Sequence, residues 1–306
     1  MYTKYQQKIK HFLLPAYRIF RHFLRTPKSI IKYIYFTFKK PHYGLNVTEE
    51  REKKIIVSLT SYPARLPTVH LAIKSILNQT YKPDKIILYL DDDVDIDTIG
   101  SKLVSLKQYG LTIAKRPENI KPHKKYYYAI KEHPDDIVIT VDDDKTYNKL
   151  VLESLVRSYE RNPESVSAIS AAKILINENG EIAPYSEKSW RIEKSLLGRP
   201  SKQLSVYGCG GVLYPPYCMS DELFNLENIK KYSLGNDDIW LNIMQILNNT
   251  KIILLSNHKS LYSRESIFGS QKTSLRVSNE YNKSNDIYWM NLIRKYNIKP
   301  TDFIDE

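Results

Sequence analysis

From residue 53 onward, short apolar runs alternate with segments whose apolar residues recur at helical spacing. Four runs rich in aliphatic and β-branched residues predict buried strands, which cover residues 55–59, 85–90, 111–114 and 137–141. Between and after these runs, apolar residues three and four apart predict helices, which cover residues 67–79, 98–109 and 125–132. Strands that alternate with helices indicate βαβ units and a mostly parallel sheet.

The second half of the chain has a less regular pattern. Apolar residues at helical spacing predict three further helices, which cover residues 149–161, 237–247 and 286–296. Apolar runs predict three further strands, at residues 166–173, 212–214 and 252–255, and a polar excursion fills residues 177–203. The sequence shows no internal repeat, so the pattern favours one large α/β body.

Residues 1–48 form a basic arm that carries ten Lys or Arg and no acid, whereas the rest of the chain is nearly neutral. The net charge of +12 therefore belongs mainly to this arm. Cations interrupt its apolar stretches, which argues against a signal peptide or a membrane span. Its aromatic and aliphatic residues recur at near-helical spacing, so we expect residues 1–40 to bind an anionic membrane surface rather than nucleic acid. A helix pair packed on the protein's own surface is the alternative.

The chain has two cysteines, Cys209 and Cys218, in one short segment. A secreted disulfide framework would show more of them, so we expect a reducing, cytoplasmic setting. Two thiols without a nearby histidine are also too few for a closed zinc site, which needs four ligands.

Acidic clusters directly follow two of the predicted strands. One runs from Asp91 to Asp93 and the other from Asp142 to Asp144. Ligands of parallel sheets bind beyond the carboxyl ends of the strands, where two acidic clusters need positive partners. In an extended chain, residues two apart point the same way, so Asp142 and Asp144 can hold one Mg²⁺ or Mn²⁺ while Asp143 faces elsewhere. Such an ion can bind a diphosphate and neutralise it as it leaves.

Asp237 and Asp238 begin a predicted helix. Acids at this position often cap the helix or compensate its dipole. In combination with the metal pair they suggest a second role, because a group transfer with inversion needs a carboxylate that deprotonates the attacking hydroxyl.

Several other residues are weaker candidates for site chemistry. The glycine-rich stretch at residues 208–211 either lets the backbone approach a ligand or is a simple turn, and it is no dinucleotide fingerprint. His258 follows the last predicted strand, where it is structural or a third metal ligand. Arg65 and Lys125 could each meet a phosphate or be solvated surface.

Two phrases of the sequence resemble the opening of glycosyltransferase family 2 and its GT-A relatives. The first runs from Lys54 to Arg65, and the second is the Ser-Ile-Leu-Asn-Gln-Thr phrase at residues 75–80. The Asp142 to Asp144 triplet falls where that family carries its D-x-D motif, and Asp237-Asp238 falls where it carries a Glu-Asp pair before a helix. The resemblance covers residues 53–250 and is most specific in its first 90 residues.

The resemblance implies a GT-A fold, which is an α/β, Rossmann-like, mostly parallel sheet flanked by helices. It also implies a nucleotide-sugar donor, for which we expect a UDP-sugar, and Mn²⁺ or Mg²⁺ as cofactor. Asp238 would be the base, with Asp237 in the position of the family's Glu, and Asp142 would bind either the metal or the ribose. The expected donor contacts are Thr60, Tyr62, Arg65, Asp91, Asp92, Lys125, Asp142 and Asp143, and the expected metal ligands are Asp142, Asp144 and His258.

Two departures from the family pattern affect the substrate. The usual Asp-Gly-Ser after the second strand is replaced by a run from Asp91 to Asp95, so the nucleoside contacts are less defined. No Q-x-x-R-W element follows Asp238, which argues against a processive polymer synthase. The chain looks like a single-addition enzyme of bacterial capsule or lipopolysaccharide assembly, peripheral at the cytoplasmic face of the membrane.

We therefore expect an arm at residues 1–48, a catalytic domain at 53–270 and a helical tail at 271–306. Two other hypotheses stay open. One is a sugar-phosphate nucleotidyltransferase, which shares the α/β layout and the paired acids, and the other is a non-catalytic membrane-surface protein whose acids are structural. A retaining transferase is a closer variant of the main hypothesis.

Overall fold

The structure is a computed structural model that describes residues 27–95, 99–263, 265–270 and 284–305. The first part of the predicted arm, the start of the predicted helix at 98–109 and residues 271–283 of the predicted tail lie outside the described residues.

The centre of the protein is a mostly parallel sheet, as predicted. Its strands are β1 (Ile55–Thr60), β2 (Lys85–Asp91), β3 (Leu111–Arg116), β4 (Ile137–Thr140), β5 (Val166–Ala168), β8 (Val212–Tyr214) and β9 (Ile252–Leu254). A two-stranded sheet pairs β6 (Ala171–Lys173) with β7 (Leu204–Val206). The order of the large sheet is β3-β2-β1-β4-β8-β5-β9, and β8 runs antiparallel to both of its neighbours.

Helices cover both faces of this sheet. The first, α1, comprises residues 27–38. The others are α2 (Leu66–Leu77), α3 (Ser101–Val104), α4 (Lys124–Glu132), α5 (Val151–Arg161), α6 (Leu226–Tyr232), α7 (Asp237–Leu247), α8 (His258–Leu261) and α9 (Ser284–Lys295).

The period-two alternation of the strands divides the core into two layers. Ile55, Val57 and Leu59 point to the layer that α2 and α5 cover, whereas Ile56 points to the layer that α4, α7 and α9 cover. Burial on both faces explains why the strands read as continuous apolar runs rather than as alternating ones. Helix α9, in the predicted tail, buries Trp289 in the same layer as α7.

Two predicted elements have the wrong form. The helix expected at 98–109 is a four-residue α3 followed by a 3-10 helix at Ser105–Tyr109, and Gly100, with φ at 85°, lies just before it. The strand expected at 166–173 is split between β5 and β6, because the chain leaves the large sheet at Ile169, which packs against Gly210. The pattern also gave no signal for β7 and α6, which are short.

Helix α1 lies against α2 with one of its faces. Lys74 of α2 donates from Nζ to the carbonyl oxygens of Phe36 and Thr37, at 3.0 and 2.9 Å. Tyr33 and Phe36 pack against a small cluster formed by Leu71, Ala72 and Ile267. This part of the arm therefore packs on the protein's own surface, as the alternative interpretation of the arm expected.

Gln79 in the Ser-Ile-Leu-Asn-Gln-Thr phrase links α2 to the segment that begins α5. Its side-chain amide donates to the carbonyl oxygens of Ser75 and Asn148, at 3.1 and 2.8 Å, and accepts from the N–H of Leu152 at 3.1 Å. Gln79 is 1% exposed, so its removal would take this partner from the Leu152 N–H and one bond from each of the two carbonyl oxygens. The phrase thus has a structural explanation in this chain.

We expect Gln79→Met to lower the free energy of unfolding by about 1–3 kcal/mol, because it leaves buried backbone groups without partners. Asn78→Ala is the matched control, since it removes only a local bond to the Lys74 carbonyl oxygen. Urea unfolding of both variants measures the difference. Equal midpoints for the two variants would show that Gln79 does not hold these elements together.

Candidate active site

The acids singled out by the sequence lie at the carboxyl edge of the parallel strands. Asp91 ends β2, Asp142 to Asp144 follow β4, and Asp237 begins α7. Buried or half-buried carboxylates at such close quarters raise each other's pKa and need cations beside them. The described residues supply these cations from α4 and from the start of α2.

Lys125, on the first turn of α4, joins two of the acidic groups. Its Nζ lies 2.7 Å from Asp142 Oδ1 and 3.0 Å from Asp237 Oδ2. Burial lowers the pKa of this amine, but the charges of Asp142, Asp237 and Asp238 outweigh burial and raise the pKa well above its usual value. Ser58 of β1 fixes the same turn by donating to the Lys125 carbonyl oxygen. A permanently charged lysine therefore holds the β4 end and the α7 start together.

Arg65 forms salt bridges with the other two acids of the triplet, Asp143 and Asp144. Its guanidinium pairs with Asp143 and lies 3.4 Å from Asp144 Oδ2. Asp143 also accepts a bond of 2.6 Å from the Ser61 hydroxyl. Burial raises the pKa of Asp143 to about 6, although Arg65 opposes that shift. The turn after β1, which contains Ser61 and Arg65, thus braces the turn after β4.

Lys124 neutralises the end of β2. Its Nζ pairs with Asp91 Oδ1 at 2.5 Å, and the lysine is 2% exposed. Consecutive lysines of α4 therefore reach two strands, because Lys124 binds the end of β2 and Lys125 binds the end of β4. The sequence analysis named Lys125 as a possible phosphate contact, but no pattern indicated that either lysine is buried.

Asp238 is a half-buried carboxylate that the Gly208 backbone approaches closely. The Gly208 N–H donates to Asp238 Oδ1 at 2.9 Å, and a Cβ at Gly208 would lie 2.9 Å from that oxygen. Burial first, and then the charge of Asp237, raise the pKa of Asp238 to about 8, while Lys125 opposes the shift. The glycine-rich stretch thus brings its backbone against a carboxylate of the protein.

The start of α7 is fixed by residues that the sequence did not single out. Asn236 caps the helix by accepting from the Ile239 N–H, so neither Asp237 nor Asp238 is the cap. Asn242, one turn later, bonds both backbone groups of Val206 and the Asp238 carbonyl oxygen. Asp238 is therefore held rigidly beside β7.

Buried His123, the residue directly before α4, supports the same region. Its ring nitrogens lie 2.8 Å from the Tyr126 hydroxyl and 2.8 Å from the Ser233 carbonyl oxygen. Burial lowers the pKa of His123 to about 4, so it is neutral at physiological pH. It joins the start of α4 to the loop that precedes α7.

The extended-chain argument for Asp142 and Asp144 is wrong in its geometry. Strand β4 ends at Thr140, and Asp143 and Asp144 lie in a turn. Asp143 and Asp144 therefore share Arg65, whereas Asp142 turns to Lys125. Their roles as donor and metal contacts stay predictions.

The remaining predicted residues are more dispersed. Thr60 donates to the Tyr89 carbonyl oxygen, Tyr62 lies 5.4 Å from the Arg65 guanidinium, and Asp92 is exposed beyond β2. His258 Nδ1 lies 2.8 Å from the Leu255 carbonyl oxygen at the start of α8. Over the described ranges, no three or more His, Cys, Asp or Glu residues form a group able to hold a metal, so the structure does not join His258 to Asp142 and Asp144 in one.

The chain matches a known protein family. Residues 57–215, just over half of the chain, match the family described as glycosyl transferase family 2. No curated protein matches the sequence significantly.

Solved structures that align with this chain include glycosyltransferases. A mannosyltransferase from Pyrobaculum calidifontis in complex with GDP-Man and Mn²⁺ aligns over 90% of this chain and 73% of its own, with a TM-score of 0.50 and 10% identity. That likeness shows a shared fold. TarS 1-349 from S. aureus aligns in its UDP-GlcNAc complex over 81% of this chain and 74% of its own (TM-score 0.44, 15% identity). The UDP complex of TarS 1-349 aligns over 65% of this chain and 57% of its own (TM-score 0.42, 13% identity).

The raised pKa of Asp238 predicts how the stability of the chelator-treated protein depends on pH. Between an ordinary pKa near 4 and about 8, the folded protein keeps a proton that the unfolded chain has released. Stability conferred by this group is therefore lost as the pH rises through that window. Asp238→Asn cannot ionise, and its side-chain oxygen can still accept from Gly208.

We expect the melting temperature of Asp238→Asn to exceed that of the wild type by at least about 2 °C at pH 8, with a smaller difference at pH 5. Glu227→Gln is the control, because Glu227 is an exposed acid in the first turn of α6. Thermal unfolding across pH 5–8 measures both. A wild type that is more stable than Asp238→Asn at pH 8 would contradict the burial argument.

Proposed function

Since the chain belongs to glycosyl transferase family 2, we propose that it moves a sugar from a nucleoside-diphosphate sugar to a saccharide or lipid-linked glycan of a bacterial surface polysaccharide. One observation supports this proposal most. Lys125 bridges Asp142, after β4, and Asp237, at the start of α7, so the acids proposed for the diphosphate lie beside the proposed base. Transfer needs both in one site.

A divalent ion fits the charges of this edge. Buried and half-buried acids outnumber the cations that face them, and burial together with the charge of Asp237 raises the pKa of Asp238. Carboxylate oxygens suit Mn²⁺ or Mg²⁺, and the related fold of the mannosyltransferase was solved with Mn²⁺. Asp142 and Asp144 would hold the ion, which supplies charge neutralisation for a leaving diphosphate. Within the described residues, the acids are Asp91, Asp142, Asp143, Asp144, Asp237 and Asp238, and the cations are Arg65, Lys124, Lys125 and Lys145.

The donor nucleotide would lie along the ends of β1 and β2. Tyr62, which is half-buried, and Asp92, which is exposed, lie at that edge. Thr60, Arg65 and Asp91 lie behind them. The mannosyltransferase that shares this fold was solved in complex with GDP-Man, which supports a nucleotide-sugar donor. We propose that these five residues contact the base and ribose.

Asp238 would remove the proton of the acceptor hydroxyl. The acceptor oxygen then bonds to the sugar carbon, the bond from that carbon to the diphosphate breaks, and the configuration inverts. A carboxylate whose pKa is raised to about 8 is a stronger base than an ordinary carboxylate. A general base works best when its pKa is close to the pH at which the enzyme operates. The Gly208 N–H and the Asn242 side chain keep it in place.

We expect Asp238→Asn to lower kcat by about a hundredfold or more, and Asp144→Asn to weaken activation by Mn²⁺. The measurement is release of nucleoside diphosphate from a panel of UDP- and GDP-sugars with and without Mn²⁺. Activity should rise as the pH approaches 8, because the base must be deprotonated. Glu227→Gln should behave as the wild type.

Three results would contradict this assignment. Release of pyrophosphate from a nucleoside triphosphate and a sugar phosphate would indicate a nucleotidyltransferase. Full turnover by Asp238→Asn would remove the base, and unchanged Mn²⁺ dependence in Asp144→Asn would remove the metal ligand.

The outward face of α1 supports the proposal that the enzyme lies at a membrane surface. Ile31, Ile34, Tyr35 and Phe38 recur at helical spacing and are exposed, with Phe38 at 80%. Lysines flank this apolar stripe, and the opposite face of α1 packs on α2. A basic amphipathic helix fixed to the domain suits the interface of an anionic bilayer, which would keep the enzyme at the cytoplasmic face near a lipid-linked acceptor. Among the described helices, none is both long and apolar enough to cross a membrane.

We expect the double variant Ile31→Glu, Phe38→Glu to bind vesicles containing phosphatidylglycerol about tenfold more weakly than the wild type, because it removes apolar area and adds negative charge. Co-sedimentation with these vesicles, and with pure phosphatidylcholine vesicles, measures binding. Val47→Glu is the control, since Val47 is exposed but lies outside α1. Equal binding by the double variant and the control would exclude the stripe as a membrane contact.

A further inference from the structure

Trp190 differs from the other tryptophans of the chain in its exposure. The chain has three, of which Trp240 and Trp289 are fully buried and Trp190 is 62% exposed. The Trp190 ring packs on the Tyr207 ring, with centroids 4.4 Å apart and an angle of 39° between the planes. One side of the indole is therefore supported, and a large part of its surface is open to solvent.

The backbone beside Trp190 is anchored, although it lies in the irregular excursion at residues 177–203. Ser189 exchanges two backbone hydrogen bonds with Lys173 of β6, at 2.7 and 2.9 Å. Lys188 is buried, donates to the Ser205 hydroxyl at 2.6 Å and lies 3.9 and 3.8 Å from the ring centroids of Tyr185 and Trp289. The exposed indole is thus presented by a fixed segment.

This aromatic surface borders the proposed base. Tyr207 directly precedes Gly208, whose N–H donates to Asp238. Burial raises the pKa of the Tyr207 hydroxyl, a hydrogen bond with Tyr185 lowers it, and the charge of Asp238 raises it further. Tyr207 is therefore within electrostatic reach of the Asp238 carboxylate. Asn242 further ties the end of β7 to α7.

We propose that Trp190 and Tyr207 form the acceptor subsite, on which a pyranose ring of the acceptor lies with a hydroxyl directed at Asp238. A pyranose has apolar C–H faces and a polar rim, so a rigid aromatic platform beside a carboxylate matches both parts of it. Such a platform loses little side-chain entropy on binding because Tyr207 and the anchored backbone already hold the indole. The inference rests on the proposed transferase function and names the chemical class that its acceptor side binds.

Acrylamide quenching of tryptophan fluorescence tests the contact directly, because the quencher reaches the exposed Trp190 far more readily than the buried pair. The probes are methyl α- and β-glycosides of glucose, galactose, mannose and N-acetylglucosamine, added to the full chain with UDP and Mn²⁺. We expect at least one glycoside to protect the wild type from quenching and to leave Trp190→Phe unaffected. If none of the glycosides protects the wild type from quenching, or if Trp190→Phe is protected equally, the proposed acceptor subsite is wrong.

Transfer kinetics then test whether the platform serves the acceptor. With the protective glycoside as acceptor, Trp190→Ala should raise its KM about tenfold, and Trp190→Tyr, which keeps an aromatic face, should restore most of the affinity. The dissociation constant for UDP should stay within about twofold, since Trp190 is not one of the proposed donor contacts. Ile176→Ala is the matched control, because Ile176 is exposed in the same part of the chain.

The results separate this inference from the function on which it rests. If the wild type neither hydrolyses nor transfers any nucleotide sugar, the proposed function fails. If it does so and Trp190→Ala keeps the wild-type acceptor KM, the function stands and the acceptor subsite is overturned.

Discussion

The neutralisation of acids at the carboxyl edge of the sheet is the constraint on which the rest of this structure depends. Parallel strands bring Asp91 and the Asp142 to Asp144 triplet to one edge, and α7 adds two more carboxylates there. Burying such a group is unfavourable unless cations are buried with it. Lys124, Lys125 and Arg65 meet this need, and in doing so they tie α4 and the turn after β1 to three separate parts of the site.

These cations do not fully compensate the burial and mutual repulsion of the acids, and the effect is largest at Asp238. Asp238 lies behind Gly208 with a pKa of about 8, because burial and Asp237 outweigh the opposite effect of Lys125. A folded protein that holds such a carboxyl group is less stable at neutral and higher pH than it would be with a neutral side chain. The same environment suits Asp238 to its proposed role as the base that deprotonates a hydroxyl, so a loss of stability and the proposed gain in reactivity would have one cause.

Two surfaces around this edge are proposed for the two substrates. We propose that the nucleotide lies at the ends of β1 and β2 and that the acceptor lies on the platform of Trp190 and Tyr207, which adjoins Asp238 through Gly208. Helix α1 uses one face to bind α2 and leaves the apolar stripe outward. A lipid-linked acceptor could then be held near the membrane while its terminal sugar reaches the base.

The sequence by itself determined the fold class, β1 to β4, the helix that begins at Asp237 and the acids at the strand ends. These follow from local rules, because side-chain period and strand-end chemistry are properties of neighbouring residues. It did not determine which lysines are buried, that Asn236 rather than an acid caps α7, or that β8 runs antiparallel between β4 and β5. It also placed Asp142 and Asp144 on one side of an extended strand, whereas a turn begins there. Only the tertiary structure decides such features, because the partners of Lys125, Asn242 and Trp190 are distant in sequence and become neighbours when the layers pack.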